Sequence, residues 1–367
     1  MKSSSRPLLV AALFLLASLA AISRGLHAEA TASAGSPSST VSPNAIRIAK
    51  FHDDRTSAVS LTFDDGLRNQ NDVAVPFLDQ YGLRATFFII PGRTPETDEE
   101  AAKKKPGDWG GISWKRLKEL AAKGHEIASH TWMHDAVIST TPDGRRVDME
   151  PAKLDEAFSR AYQAIKEKIG VAPFTCATPG NASDDTIRAA VHKYHPVFRE
   201  HLTERFGDWP PSGKNFTTEQ ANAIVDRHID GGTQMVWMIH AVTDGYNAQS
   251  GPEVLGNHLK YLKSREDVLW VDTYAAVSRY VMERDAAKLI ASSSGNGATF
   301  SLQCPLDSKL FNDPLTVVIP APGAVKAEAK RSGSAAPLPV TIRDGKILVE
   351  AAPSSDPVVV SWSGGKS

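Results

Sequence analysis

Cysteine is almost absent from this chain. Only Cys176 and Cys304 occur among 367 residues, which excludes a disulfide-stapled scaffold and leaves room for one bridge at most. The two fall in stretches assigned below to different domains, so two separate thiols are expected, and neither has a base at a spacing that would make it a nucleophile. A charge excess is missing as well. The formal net charge of -1 gives no electrostatic ground for nucleic acid or a strongly charged polymer as partner. The apolar run at residues 8–21 is shorter than the ~20 residues a membrane-spanning helix needs. It follows Lys2 and Arg6 and precedes Leu26-His27-Ala28, the layout of an export signal cut after Ala28. Residues 1–28 are therefore expected to be removed, leaving an exported chain, periplasmic or extracellular, with no stable membrane insertion.

Residues 29–44 are rich in Ala, Ser, Thr and Pro, cannot bury enough apolar surface to order themselves, and read as a flexible linker. Folded structure is expected from residue 45. From there apolar runs at 58–63, 85–90, 126–129, 174–177, 235–242 and 268–271 alternate with amphipathic stretches at 72–81, 114–123, 151–169, 184–194, 252–264 and 273–290. That is the rhythm of a parallel α/β fold. The clearest helix is 151–169, with Leu154, Phe158, Ala161, Tyr162, Ile165 and Ile169 on one stripe and Gly170 to stop it. The Ser-rich run at 291–298 ends the alternation. It marks the expected boundary between a catalytic domain, 45–290, and a small β-sandwich-like domain, 299–367, in which Asp344-Gly345 reads as a hairpin turn.

Three apolar strands end in residues that carry chemistry. The segment Val59-Ser-Leu-Thr-Phe-Asp-Asp-Gly66 closes on two adjacent carboxylates, and in parallel α/β folds the C-terminal strand ends open onto the functional cleft. Alone, Asp64-Asp65-Gly66 serves equally well as a turn with helix-capping carboxylates. In Ser129-His130-Thr131-Trp132-Met133-His134 two imidazoles four residues apart fall on one face of a helical turn and can grip one metal ion. Alone, one structural histidine beside one solvated histidine satisfies that pattern. Two histidines with one carboxylate leave coordination positions open, as a catalytic metal site requires. The strand Met235-Val-Trp-Met-Ile-His240 ends in an imidazole that either closes a core strand or protonates a leaving group.

In order and spacing, Thr62-Phe63-Asp64-Asp65-Gly66, Ser129-His130-Thr131-x-x-His134, Thr178-Pro179-Gly180-Asn181 and the strand ending in His240 resemble the NodB-homology polysaccharide deacetylases of carbohydrate esterase family 4, over residues 57–284. The resemblance implies a distorted (β/α) barrel with fewer strands than a full eight, followed here by a small all-β domain. It also implies a hydrolase that removes N- or O-linked acetyl groups from an acetylated glycan. By the same resemblance Asp64 is the catalytic base and His240 the catalytic acid. Asp65, His130 and His134 hold one divalent ion, for which zinc is the leading choice and cobalt or another divalent ion an alternative. The Gly180 N–H is the oxyanion donor, since the alternative register would place Pro179, which has no N–H, at that position.

Two of the family's motifs depart from pattern. An arginine that braces the base usually stands two residues before the motif's proline; here that residue is Ala177, and Arg199, after the next strand, is the candidate replacement. For the aspartate that tunes the catalytic histidine, the options are Asp208, beside Trp209, and Asp226. Trp109, Trp114, Trp132 and Tyr246 are candidates for stacking on sugar rings. The insertion at 93–111 is expected to overhang the active face, with most of its charge solvated. Two other readings suit the same residues: a carbohydrate-binding barrel without catalysis, and a metal-dependent amidase for a small non-carbohydrate substrate, which a closed pit would favour over an open groove.

Overall fold

The computed structural model describes residues 46–200, 203–207, 216–246, 248 and 251–364; the expected export signal and linker, and Asp208 with Trp209, lie outside them. Eight parallel strands form the catalytic layer: β1 (Ser57–Asp64), β2 (Thr86–Ile89), β3 (Glu126–Ser129), β4 (Thr175–Cys176), β5 (Val197–Phe198), β6 (Thr203–Arg205), β7 (Gln234–Ile239) and β8 (Leu269–Val271). Their order is β5-β4-β3-β2-β1-β7-β6. Along β1, β7 pairs with residues from Ala58 to Phe63 on one edge. The other edge is shared, β8 taking Ser57 to Val59 and β2 taking Thr62 to Asp64. Among the described residues the sheet thus has eight strands rather than fewer, because the short β8 fits beneath β2 on the same edge.

Every residue of β1 is buried, as a parallel strand covered on both faces requires. Val59, Leu61 and Phe63 face a helical shell that includes Leu78, Leu117, Leu120, Ile165, Leu255 and Leu259. Inside the curl, Phe88, Ala128, Ala177, Val197 and Val236 pack with Tyr274 and Ala275 from the start of helix Tyr274–Ala286. That helix plugs the floor. The Glu126 carboxylate accepts from Thr86 Oγ1 at 2.7 Å, Thr175 Oγ1 at 2.6 Å and the Ala275 N–H at 2.9 Å. The helix expected at 151–169 runs Pro151–Ile169, with Gly170 at φ 87 after it, the left-handed stop that favours glycine.

The C-terminal layer is a pair of four-stranded antiparallel sheets. One runs Arg47–Ile48, Leu315–Pro320, Lys346–Ala351, Val340–Arg343; the other runs Lys288–Ser294, Gly297–Gln303, Ser354–Gly364, Ala324–Arg331. Alternate residues such as Leu315, Val317, Ile319, Ile347, Val349, Val358 and Val360 fill the space between them. The hairpin read at Asp344-Gly345 is present, with φ of 51 and 70 and Arg343 paired to Lys346, as a type I′ turn demands. Two expectations change. The helix expected to reach Ile290 stops at Ala286, and residues from Lys288 onward form a strand. The Ser-rich run expected to mark the domain boundary is one arm and the turn of a hairpin, its serines exposed on an edge strand paired with Gly297–Gln303. The first of these sheets also recruits Arg47–Ile48, from before β1, against Leu315–Pro320.

Candidate active site

The C-terminal ends of β1, β3, β4 and β7 meet at one cleft. Asp64 is the last residue of β1, and Asp65 and Gly66 follow with φ of 73 and 63, two successive left-handed residues that swing the chain out of the sheet. Asp65 tolerates that conformation because its backbone is fixed from outside: Gly110 N–H donates to the Asp65 carbonyl at 2.9 Å, and Gly111 N–H to that of Gly66 at 2.7 Å. His130 follows β3, its N–H still donating to the Ile89 carbonyl at 2.9 Å. The helical turn expected from His130 to His134 does not form. The chain leaves the sheet and reverses through Thr131 and His134, both left-handed at φ 65 and 64, with Thr131 Oγ1 accepting from the Asp135 N–H at 2.9 Å. The loop nevertheless brings the two imidazoles to 5.1 Å between ring centres.

Asp65 Oδ1 lies 3.5 Å from His130 Nε2 and 3.3 Å from His134 Nε2. All three ligand atoms lie within 4.8 Å of one another. Asp65 is buried, and its Oδ1 has no hydrogen-bond partner among the described residues. His130 Nδ1 is 2.9 Å from the Ala177 carbonyl, which accepts its proton and leaves Nε2 with its lone pair toward the cleft. An orphaned buried carboxylate oxygen facing two imidazole nitrogens, one tautomer fixed from behind, fits a divalent cation. Burial alone would raise the Asp65 carboxyl; the two histidines outweigh it and hold the group well below the usual carboxylate range.

Arg199, one residue past β5, supplies what Ala177 lacks. Its guanidinium donates from Nη1 to Asp64 Oδ1 at 2.7 Å and from Nη2 to Asp64 Oδ2 at 2.6 Å, a bidentate pair with both side chains out of solvent. Thr62 Oγ1 at 2.8 Å and Asn181 Oδ1 at 3.3 Å accept further Arg199 protons, and the Phe88 ring lies 4.6 Å from its centre. Burial raises the Asp64 carboxyl, yet the Arg199 charge and hydrogen bonds hold it below its ordinary value. Across the cleft His240 Nε2 is 3.9 Å from Asp64 Oδ2, and burial lowers its imidazole. Its Nδ1 is buried with no partner among the described residues.

Gly180, at φ 68, and Asn181, at φ 53, lie on the cleft wall with Thr178, Arg205 and Met238. Of the four aromatic candidates, Trp109 and Tyr246 line the cleft, 39% and 44% exposed. Trp109 sits over His134 at 4.1 Å, and Tyr246 meets His240 edge-on at 5.0 Å. Trp114 is buried, and Trp132 lies beneath the Arg160 guanidinium at 4.3 Å. Asp226 pairs with Tyr261 and Arg265 on the helical shell, away from His240. Met238 was legible, since strand alternation puts Val236, Met238 and His240 on one face; Arg205 had no such signal, because its strand, Thr203–Arg205, is too short to show a pattern. The cleft holds about 290 Å³. Larger hollows beside Arg68 and near Cys304, 360 and 550 Å³, contain no metal-ligating cluster among the described residues. Both cysteines are free, and burial pushes the Cys176 thiol up to about 12, so it is inert.

Residues 52–196 match the family described as polysaccharide deacetylase. A gellan lyase from a Bacillus species is 27% identical over 348 residues, covering 85% of this chain and 13% of that protein. A putative polysaccharide deacetylase, YxkH, from Bacillus subtilis is 27% identical over 172 residues, covering 42% of this chain and 57% of that protein. The chain therefore spans less than two thirds of the length of these curated relatives. Among solved structures, a family 4 acetyl xylan esterase from Clostridium thermocellum in complex with a cobalt ion is 25% identical, with a TM-score of 0.41 over 60% of this chain and 89% of that one. The family's match runs from before β1 to the end of the helix after β4, and the motif residues gather at one cleft, so residues 52–196 carry the likeness to the polysaccharide deacetylases.

Proposed function

We propose that this protein is a metal-dependent deacetylase that hydrolyses N- or O-linked acetyl groups on an acetylated glycan. The observation that carries the proposal is the convergence, in one cleft, of an arginine-clamped carboxylate, an Asp-His-His donor set and a facing histidine. Asp65, His130 and His134 are the residues to hold the ion, for which zinc is the first choice on the chemistry of the donors. When bound, it supplies Lewis-acid polarisation of the acetyl carbonyl.

Asp64 acts as general base on the attacking water, and Arg199 keeps it ionised and aimed. His240 protonates the departing nitrogen or oxygen. The 3.9 Å between Asp64 Oδ2 and His240 Nε2 gives the proton taken from water a short route to the group that delivers it. The Gly180 N–H is the donor for the developing oxyanion. Trp109 and Tyr246 offer aromatic faces to the apolar side of pyranose rings. An export signal at residues 1–28 would bring this activity to glycans outside the cytoplasm.

Acetate release from chitooligosaccharides, peptidoglycan and acetylated xylan by zinc-loaded protein, beside Asp64→Asn, tests the proposal. Release that requires the metal and is lost in the variant is expected, and the responsive glycan decides between amide and ester. Metal bound without release from any glycan would overturn it in favour of a small-molecule amidase or a binding barrel.

A further inference from the structure

The 93–111 insertion reads from sequence as a charged, solvated overhang, and Lys104 departs from that. Its Nζ lies 2.7 Å from the Arg93 carbonyl, 2.9 Å from that of Trp109 and 2.8 Å from that of Gly110, so all three ammonium protons have acceptors. Arg68 Nη1 gathers two more carbonyls of the same loop, Ala102 at 3.0 Å and Lys104 at 2.8 Å. The loop's carbonyls are thus turned inward onto cations.

Both ends of this loop are fastened to the metal-binding triad. At one end, the Gly110 and Gly111 N–H groups hold the carbonyls of Asp65 and Gly66. At the other, the Gly92 N–H donates to the Trp132 carbonyl at 2.8 Å and Arg93 Nε to the Met133 carbonyl at 3.1 Å, in the turn that presents His134. Trp109, carried beside Gly110, covers the His134 ring at 4.1 Å. Lys104 bonds to carbonyls at both ends at once. The two ends also touch: a Cβ on Gly110, which sits at φ +62, would meet the Arg93 carbonyl oxygen at 2.5 Å.

We propose that Lys104 is a positioning residue of the triad, tying the two ends of the 93–111 loop together and thereby holding the Asp65 and His134 backbones at the separation one ion needs. The inference rests on the reading of Asp65, His130 and His134 as a metal site. Methionine at position 104 keeps the stem and removes every donor, leaving three carbonyls turned toward an apolar side chain, so the loop must open. Arginine keeps the donors.

The test compares the full chain with Lys104→Met, Lys104→Arg and Gly110→Ala, the last prying the ends apart with Lys104 intact. Zinc dissociation constants are read by chelator competition, and amide hydrogen exchange is read at Gly110 and Gly111 and, as a folding control, in Leu315–Pro320. Lys104→Met and Gly110→Ala are expected to weaken zinc binding about tenfold or more and to speed exchange at the two glycines while the control strand stays protected. Lys104→Arg should recover most of both. Zinc binding and exchange in Lys104→Met within about twofold of the parent would overturn the proposal. If the parent itself binds no zinc, the metal reading fails, and the exchange comparison alone decides whether Lys104 holds the loop.

Discussion

Replacing Arg199 by methionine removes both bonds to Asp64 and leaves a carboxyl that is 2% exposed with no cation beside it. Two unit charges about 4 Å apart at an effective dielectric of about 20 attract by about 4 kcal/mol. That agrees with the ~3–5 kcal/mol cost of breaking a buried pair from one side. At about 2 °C per kcal/mol for a chain of this size, the melting temperature should fall by some 6–10 °C. Burial, no longer opposed by Arg199, then drives Asp64 toward its protonated form, and kcat for acetate release should drop by the ~10²–10⁴-fold that general bases contribute. Zinc content should persist, because Arg199 touches none of Asp65, His130 and His134. The sheet offers a sharper version of the test. Cys176 pairs with Phe198, so Ala177 and Arg199 stand side by side, one residue beyond β4 and β5. The double variant Ala177→Arg, Arg199→Ala moves the guanidinium one strand over and should recover part of kcat. A kcat within about threefold of the parent in Arg199→Met, at unchanged melting temperature, would refute the reasoning.

Four further outcomes are expected. Asp65→Asn, His130→Ala and His134→Ala should each lose stoichiometric zinc, read by metal analysis after dialysis, while the Arg199–Asp64 pair keeps the barrel folded. Burial holds His125 and His195 down to about 4 and His258 to about 3, so between pH 6.5 and about 4 the unfolded chain binds protons that the folded chain refuses. Their stabilisation is complete above 6.5 and is lost as the pH falls toward 4, at up to about 4 kcal/mol per pH unit for three protons. Urea midpoints at pH 7.5, 5.5 and 4.5 should decline in that order, and a flat profile would contradict these burials. Glu126→Ala strands Thr86 Oγ1, Thr175 Oγ1 and the Ala275 N–H, and should cost about 3 kcal/mol in a melt with little change in KM. Ending the chain after residue 287 uncovers Tyr280 and strips Arg47–Ile48 of its partner strand, so the shortened protein should melt earlier and bind an apolar dye.

What could be read from the sequence was what neighbours along the chain decide. The stripe of Pro151–Ile169, the left-handed pair Asp344-Gly345 and the strands that lead to Asp64 and His240 follow from local periodicity and backbone preference, and the structure keeps them. What could not be read was decided across the chain. Four-residue spacing makes His130 and His134 look helical, but Thr131 and His134 take left-handed backbones in a turn tied to another loop by the Gly92 N–H on the Trp132 carbonyl, so tertiary pairing wins over the local pattern. Serines 292–294 have little strand preference and become a strand only because Gly297–Gln303 lies against them.

The brace for Asp64 obeys the same logic. A motif search looks along one strand and finds Ala177, whereas the side chain that reaches Asp64 is fixed by register between strands and comes from twenty-two residues later in the chain. Nothing in the requirement for a bidentate cation specifies which strand supplies it; the requirement is only that a long side chain start from the same level of the sheet and point into the curl. Ala177 meets the placement without the reach, and Arg199 meets both. The vacated space at Ala177 is filled by packing against Phe88 and Tyr274, while its carbonyl still fixes the His130 tautomer. Backbone and side-chain roles at position 177 have therefore separated: the backbone serves His130, and the neighbouring strand serves Asp64.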